Sequence, residues 1–410
     1  MVWVCQPEQS SLEYDDIVIG SGLSAIATVL GLPVTRRVLV LCGPVEVAMQ
    51  YYDSTRRTPC SNIGFGGLGN FWHGVIPMGG RMNIAGSGTV DFERLFQFFY
   101  PKVDLASRLG RPLLFIPWRP IRPRHVWRQL LMQRGDRLRL AQQSATRIAF
   151  ESNRTEVWTD SAQFRAGRTW VCAGALQTPG LLDQSLDRKV SRKTVSDHVL
   201  CYIGLIDRAA HPDVVPKRVE RTRTGLWIEA CYNDASDGLF TLRPARFAYK
   251  RLDFGIEQRA VFGLPTGNAI AKILRAASAG LIAEALYNRA GLFSDSRFQS
   301  VYAQLAVPDA HWLHTGDAPV TMRTDIIRTA INLVRASPAW PQVLPSRRPE
   351  LFLPVIHLHN SVDRERLRDS GVNEPTCPVQ VADASVCENI GPEHHSFKMM
   401  AAAFARARTV

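Results

Sequence analysis

The stretch that most limits how this chain can fold is Asp15-Asp16-Ile17-Val18-Ile19-Gly20-Ser21-Gly22-Leu23-Ser24-Ala25. It predicts a short buried strand, a tight glycine turn and the first turn of a helix running through Ala27 and Val29 towards Leu32. Gly20 lets the chain reverse, Gly22 has no side chain to hold a diphosphate off the backbone, and Ala25 is small enough for the helix to lie close on the strand. The N–H groups at the start of that helix, at its positive dipole end, then face an anion. A second apolar strand, Val38 to Leu41, follows at the spacing of a βαβ unit. A purely structural glycine turn is the plain alternative. A strand before, a helix after and a second strand on time favour a dinucleotide site.

The second strand of such a unit usually ends in an acidic residue that hydrogen-bonds the adenosine ribose. Cys42 stands there instead, and a thiol is a poor acceptor. Ribose recognition is expected to be weaker or to come from elsewhere, with Glu46 one turn further on as a stand-in.

The 410 residues are enough for a large core and two domains, and 46% apolar with 21% charged residues is ordinary for a globular chain. No run of about 18 apolar residues occurs, which predicts no membrane-spanning helix. The segment Met1 to Glu8 lacks a basic start followed by an apolar core, so we expect no secretory signal and a cytoplasmic protein. The eight cysteines are scattered without paired spacing and read as reduced, small buried residues, not as a disulfide framework or a zinc site. The formal charge of +12 is mostly arginine, densest from Arg119 to Arg139. A solvated basic face, or a field that draws in an anionic substrate, is expected ahead of nucleic-acid binding.

Further on, Asn62 to Gly74 holds four glycines in the six positions from Gly64 to Gly69, flanked by Phe65, Phe71 and Trp72. Such backbone bends sharply or touches something closely, and its aromatics argue against a flexible linker. Thr169 to Leu182 predicts a buried strand, a small-residue turn and a helix entered after Thr178 with Pro179 in its first turn. Asp197-His198 leads into an apolar strand, Val199 to Ile206; a histidine at a strand start reads as structural more readily than catalytic.

From about Asp207 to Ala339 the pattern changes. Strands are expected at Gly225 to Tyr232 and Gly238 to Leu242, and helices at Asn268 to Asn288 and Thr324 to Arg335. We read this region as a separate cap. Strand and turn return at Leu351 to His359 and Pro378 to Ser385, and a last helix begins near His394-His395-Ser396. Four of the ten histidines fall close together here: His357, His359, His394 and His395. No Cys, Asp or Glu completes a metal-ligand set, so no metal is expected. Convergence of a strand-end and a helix-start histidine suits acid/base chemistry, because imidazole titrates near neutral pH.

Five separated motifs, in order, resemble those of the glucose–methanol–choline (GMC) oxidoreductase family of flavoproteins. They are Gly20-Ser21-Gly22, the loop Gly66-Gly67 through Trp72-His73-Gly74, Ala173-Gly174-Ala175-Leu176-Gln177-Thr178-Pro179, Asp197-His198, and Val381-Ala382-Asp383-Ala384-Ser385 followed by His394. The resemblance implies an α/β fold: a Rossmann-like FAD-binding domain from residues 1–206 and 340–410, with an inserted α+β substrate-binding cap at 207–339. It places the FAD diphosphate at Gly20, Ser21, Gly22, Leu23 and Ser24. The isoalloxazine would lie between the C-terminal motif and the loop carrying Gly66, Gly67, Asn70, Trp72 and His73. Ala173, Gly174, Asp383, Ala384, Ser385, His395 and Ser396 would complete the cofactor contacts, with Cys42 at the ribose position.

The family's catalytic pair falls on His394 and on His357, the latter in His357-Leu358-His359-Asn360-Ser361, where Asn and Ser replace the Gly and Thr of a His-x-x-Gly-Thr segment. His359 is the alternative for that first position. Phe71 precedes Trp72 where some relatives carry a flavin-linked histidine, so FAD is expected to be noncovalent. The implied activity is oxidation of a CH–OH group of a sugar, sugar derivative or polar alcohol, with oxygen or another redox carrier as final acceptor. A lyase of the same fold, or a flavin-binding protein without turnover, is the competing expectation. A nicotinamide-dependent dehydrogenase fits the first glycine turn but leaves the C-terminal motif unexplained.

Overall fold

The computed structural model describes residues 13–44, 48–51, 59–72, 74–79, 89–151, 153–207, 219–229, 231–233, 238–244, 298–305, 311–313, 321–322, 344–345, 352–354, 357–388, 390–391 and 394–409. The expected helices at Asn268 to Asn288 and Thr324 to Arg335, and the residues Glu46 and His73, lie outside this set.

The central sheet grows from the first βαβ unit. Strand β1 (Glu13–Ile19) passes through helix α1 (Leu23–Gly31) to β2 (Val38–Cys42), which pairs with it in parallel. Strand β3 (Leu138–Gln142) adds in parallel outside β2. The hairpin β4 (Ala145–Glu151) and β5 (Arg154–Thr159) leads into β6 (Gln163–Val171), which lies parallel to β1 on its other side. The outer edge of β6 is shared. Gln163 to Ala166 pair antiparallel with β5, while Thr169 to Val171 pair in parallel with the C-terminal strand β7 (Val379–Val381). The parallel order is therefore β3-β2-β1-β6-β7, and the residues Ala141, Leu41, Ile19, Val171 and Val381 lie in one lateral row at the strands' carboxyl ends. In an open parallel sheet, ligands bind just beyond that end, where the strand order reverses.

All five residues of β2 are buried, the pattern of a parallel strand covered on both faces. Val18, Val38 and Val40 face a core shared with Trp127 of α3 (Pro123–Arg134), α2 (Thr89–Phe99) and the last helix; Ile17, Ile19, Leu39 and Leu41 face a core with Leu181 and Leu182 of α4 (Thr178–Ser185) and Leu367 of α5 (Arg364–Asp369). The last helix, α6 (Ser396–Arg408), lies directly on α1. A Cβ placed on Gly31 would stand 2.4 Å from the Phe404 carbonyl oxygen and 2.8 Å from Cβ of Ala407.

Most of the arginine-rich segment is exposed, as expected of a solvated face, but Arg134 is not. Arg134 is only 7% exposed, and its Nη2 donates to the carbonyls of Val29 and Leu32 at the C-terminal end of α1, at 2.5 and 2.6 Å. That is where a helix leaves carbonyls unpaired and its dipole favours a cation. Arg137 donates to the Thr35 carbonyl, and Arg122 to those of Asn70 and Trp72. Arg119, Arg124 and Arg128 remain exposed.

Antiparallel strands from the middle of the sequence form a second sheet, in the order Cys231–Asn233, Gly238–Pro244, Phe298–Leu305, Val199–Asp207 and Leu344–Pro345, with Phe352–Pro354 also paired to Val199–Asp207. The strand expected over Gly225 to Tyr232 is two strands serving different sheets. Gly225–Glu229 pairs with Leu113–Pro117 and buries Trp227 against Phe115, with ring centroids 4.7 Å apart, whereas Cys231–Asn233 joins the second sheet. The strand expected over Leu351 to His359 is likewise short among the described residues, Phe352–Pro354, and His359 forms an isolated bridge with Ser196.

Candidate functional site

Gly20 closes β1 with φ +109°, and a Cβ there would lie 2.3 Å from the Cys172 carbonyl oxygen, so only glycine fits between β1 and β6. Gly22 caps α1 without any side-chain hydrogen bond. The turn is fastened to the second glycine loop: Ser21 Oγ accepts from the Gly66 N–H at 2.9 Å, and Trp127 Nε1 donates to the Ser21 carbonyl at 2.8 Å. Gly66 has φ +90° and opens a 3₁₀ turn, Gly67–Phe71, in which Asn70 donates to the Phe65 carbonyl. Gly69 presses on Leu23 at the start of α1, and the Ser24 carbonyl accepts from the Thr28 hydroxyl one turn on. Trp72 is buried and stacks on Phe397 of α6, centroids 6.5 Å apart. Both ends of the chain therefore meet around α1.

Beyond β6, Gly174 takes φ +84° with no heavy atom within 4 Å of where a Cβ would be. Its N–H and the Thr178 hydroxyl donate to Asp383 Oδ2 at 2.8 and 2.6 Å, and Oδ1 accepts from the Ser385 N–H at 2.9 Å. Asp383, 3% exposed, thus ties the end of β7 to the turn after β6 and caps the 3₁₀ turn Ala384–Val386. The uncapped start of α1, Gly174 and the loop from Gly66 are the elements that could receive a diphosphate and a flat ring system. Cys42 offers them nothing: it is 3% exposed and its thiol donates to the Ala141 carbonyl at 3.3 Å, with burial pushing its pKa up to about 11.

The histidines converge. The ring centroids of His357 and His394 are 5.6 Å apart, those of His357 and His395 4.6 Å, and those of His359 and His395 6.1 Å, the first two pairs nearly perpendicular. The segment carrying His357 is stitched to the turn after β7 by Asn360 and Ser361, whose N–H groups donate to the carbonyls of Ala384 and Ser385. Asn360 adopts φ +56°, the left-handed region that asparagine tolerates best after glycine. His359 Nδ1 lies 2.9 Å from the His357 carbonyl oxygen, its acceptor.

The sequence reading left out a member of this group. His198, 1% exposed, lies with its Nδ1 3.4 Å from Nδ1 of His357, and its ring centroid is 5.7 Å from that of His395. Asp197 brings them together, because its Oδ1 accepts from the N–H groups of both His198 and His357, at 2.7 and 2.9 Å. Gln304, from strand Phe298–Leu305, places Nε2 3.0 Å from His198 Nδ1. The Asp197-His198 dipeptide was the available signal for the first of these; nothing in the sequence marks Gln304. Burial first, then the neighbouring imidazoles, lowers the pKa of His198, His357 and His395 well below the ordinary 6.5. These rings are neutral at pH 7, with lone pairs to offer. His357 and His394 are partly exposed, whereas His198, His359 and His395 are buried.

No protein-family model matches the sequence, and no curated protein does. Solved structures do. Pyridoxine 4-oxidase from Mesorbium loti is similar over 97% of this chain and 99% of that one, with 12% identity and a TM-score of 0.50. A fungal aryl-alcohol oxidase is similar over 96% and 98%, with 13% identity and a TM-score of 0.50. These structural neighbours are GMC-type oxidoreductases, the group that the five sequence motifs resemble, and theirs is the fold of this chain.

Proposed function

We propose that the chain binds FAD noncovalently and oxidises the CH–OH group of a small polar alcohol, sugar or sugar derivative to a carbonyl. The observation that carries this reading is the approach of His357 and His394, the two partly exposed rings of the cluster, beside the turn that follows β7. The diphosphate would rest on Gly20, Gly22 and the first turn of α1, with Gly66, Gly67, Gly174 and Asp383 around the rest of the cofactor. FAD, when bound, supplies a two-electron acceptor for the hydrogen leaving carbon.

His357 or His394 takes the hydroxyl proton, and the partner ring orients the oxygen and stabilises the charge that develops on it. The left-handed Asn360 supports aligning His357, not His359, with the first catalytic position, since it takes the backbone conformation natural to the glycine of His-x-x-Gly-Thr. Residues 207–339 would supply the substrate-binding cap, and Gln304 reaching His198 supports a role for that region at the site. An anionic member of that substrate class is part of the proposal, drawn by the formal charge of +12.

The test is the visible spectrum of the purified protein, followed by anaerobic mixing with a panel of sugars, aliphatic alcohols, aryl alcohols and pyridoxine. A yellow protein bleached by one member supports the reading. A colourless protein that takes up no FAD overturns it. Buried Cys42, unable to serve a ribose, is the observation on the side of a flavin-binding protein without turnover, and a yellow protein that no alcohol bleaches would favour that protein or a lyase.

A further inference from the structure

We propose that His198, His357 and His395 form a binding site for one divalent transition-metal ion of the zinc class. One ligand atom from each ring lies within 4.8 Å of the others, and two of the three residues are almost wholly buried. The spacing suits the chemistry. Zn–N bonds of about 2.0–2.1 Å set nitrogen–nitrogen separations of roughly 3.3 Å in a tetrahedron. The Nδ1 atoms of His198 and His357 are already 3.4 Å apart. The other two edges are no longer than 4.8 Å.

The donor atoms are also available. Among the described residues, His395 Nδ1 is buried without a hydrogen-bond partner, which is costly for an imidazole nitrogen and is relieved by a ligand. His198 coordinates through Nδ1, the atom that faces His357, by displacing the Gln304 amide nitrogen 3.0 Å away. Beneath the rings, Asp197 fixes two of the ligand-bearing segments from behind through their backbone N–H groups, and its carboxylate adds negative charge near an incoming cation. Three neutral imidazoles leave a fourth position open, as in catalytic zinc sites.

The inference concerns binding alone and holds whether or not the histidines oxidise an alcohol. If His357 also serves the proposed oxidation, bound metal would occupy the lone pair that accepts the proton, and zinc would inhibit.

The test uses the full chain with whatever flavin it carries, stripped by a chelator and dialysed. Zn2+ alone is titrated with metal analysis of the dialysed protein, and Co2+ alone is followed by its tetrahedral ligand-field bands. We expect one Zn2+ per chain and tetrahedral Co2+ bands. His198→Gln and His395→Gln should each weaken binding by more than about a hundredfold, beyond what loss of a mere supporting partner costs. His125→Gln, on the exposed face of α3, should bind as the parent does. A parent protein with no saturable Zn2+ and only octahedral Co2+ bands overturns the proposal even if the variants fail to fold. So does unchanged binding in both cluster variants. Zinc binding without flavin bleaching would overturn the oxidation reading and leave this one standing.

Discussion

Replacing Asp383 with alanine tests the join between β7 and the turn after β6. Its carboxylate accepts three hydrogen bonds, from the Gly174 N–H, the Thr178 hydroxyl and the Ser385 N–H, in a setting 3% exposed. A hydrogen bond to a charged acceptor contributes about 1.5–3 kcal/mol, and the three share one group, so their effects do not simply add. The Thr178 hydroxyl, fully buried, loses its partner outright. We expect Asp383→Ala to cost roughly 3–5 kcal/mol, because it strands two or more buried neutral donors at about 1–3 kcal/mol each. Asp383→Asn keeps an oxygen for Ser385 but turns an NH2 group towards the Gly174 N–H, and should cost about 2 kcal/mol. Guanidinium denaturation of both variants and the parent gives the numbers, with amide exchange at Val379–Val381 reporting whether β7 loosens first. An alanine variant within about 1 kcal/mol of the parent, with β7 as protected as before, would refute the reasoning.

Lys398 is 2% exposed, and burial lowers its pKa from 10.5 to about 8. At about 1.4 kcal/mol per pH unit this sets a ceiling of roughly 3 kcal/mol on the penalty for burying it charged. The unfolded chain holds the proton more tightly, so the penalty is complete below pH 8 and fades as the pH rises towards 10.5. The stability difference between Lys398→Met and the parent should therefore move in the parent's favour by up to roughly 3 kcal/mol from pH 7 to pH 10, and a difference that does not change with pH would contradict this. Gly31→Ala should destabilise by about 1–3 kcal/mol because its Cβ meets the Phe404 carbonyl, although alanine favours a helix interior by about 1 kcal/mol; a higher melting temperature would show that α6 can move aside. If the chain performs the proposed oxidation, His394→Ala should still take up FAD and lose roughly a hundredfold or more in turnover, and unchanged turnover would remove His394 from the mechanism.

The first βαβ unit was legible because its glycines answer to backbone geometry: Gly20 has φ +109° and no room for a side chain, and the apolar runs on either side had no other place to go. Pro179 in the first turn of α4 and the start of α6 beside His395 were equally readable. Arg134 was not. An arginine inside a basic run looks the same in sequence whether it meets water or the three carbonyls of Val29, Leu32 and Pro33 that end α1. Gln304, and the place of His198 beside His357, were hidden for a different reason. What sets them beside His357 is Asp197 gripping a backbone 160 residues away and a strand partner more than a hundred residues on, and neither leaves a local pattern. Asn360 shows the reverse case, a departure from the expected glycine that the backbone tolerates at φ +56°.

The shared edge of β6 has a consequence for biosynthesis. Its first half is zipped by a hairpin made just before it, but its second half waits for Val379–Val381, and the groove around Gly31 waits for Ser396–Arg408. While the ribosome is still copying the middle of the message, the nascent polypeptide carries a strand with a bare flank and a helix with an uncovered stripe. Such surfaces are what chaperones hold and what aggregation begins on. Premature termination a few dozen codons early would therefore spoil the earliest-made part of the molecule along with the lost tail.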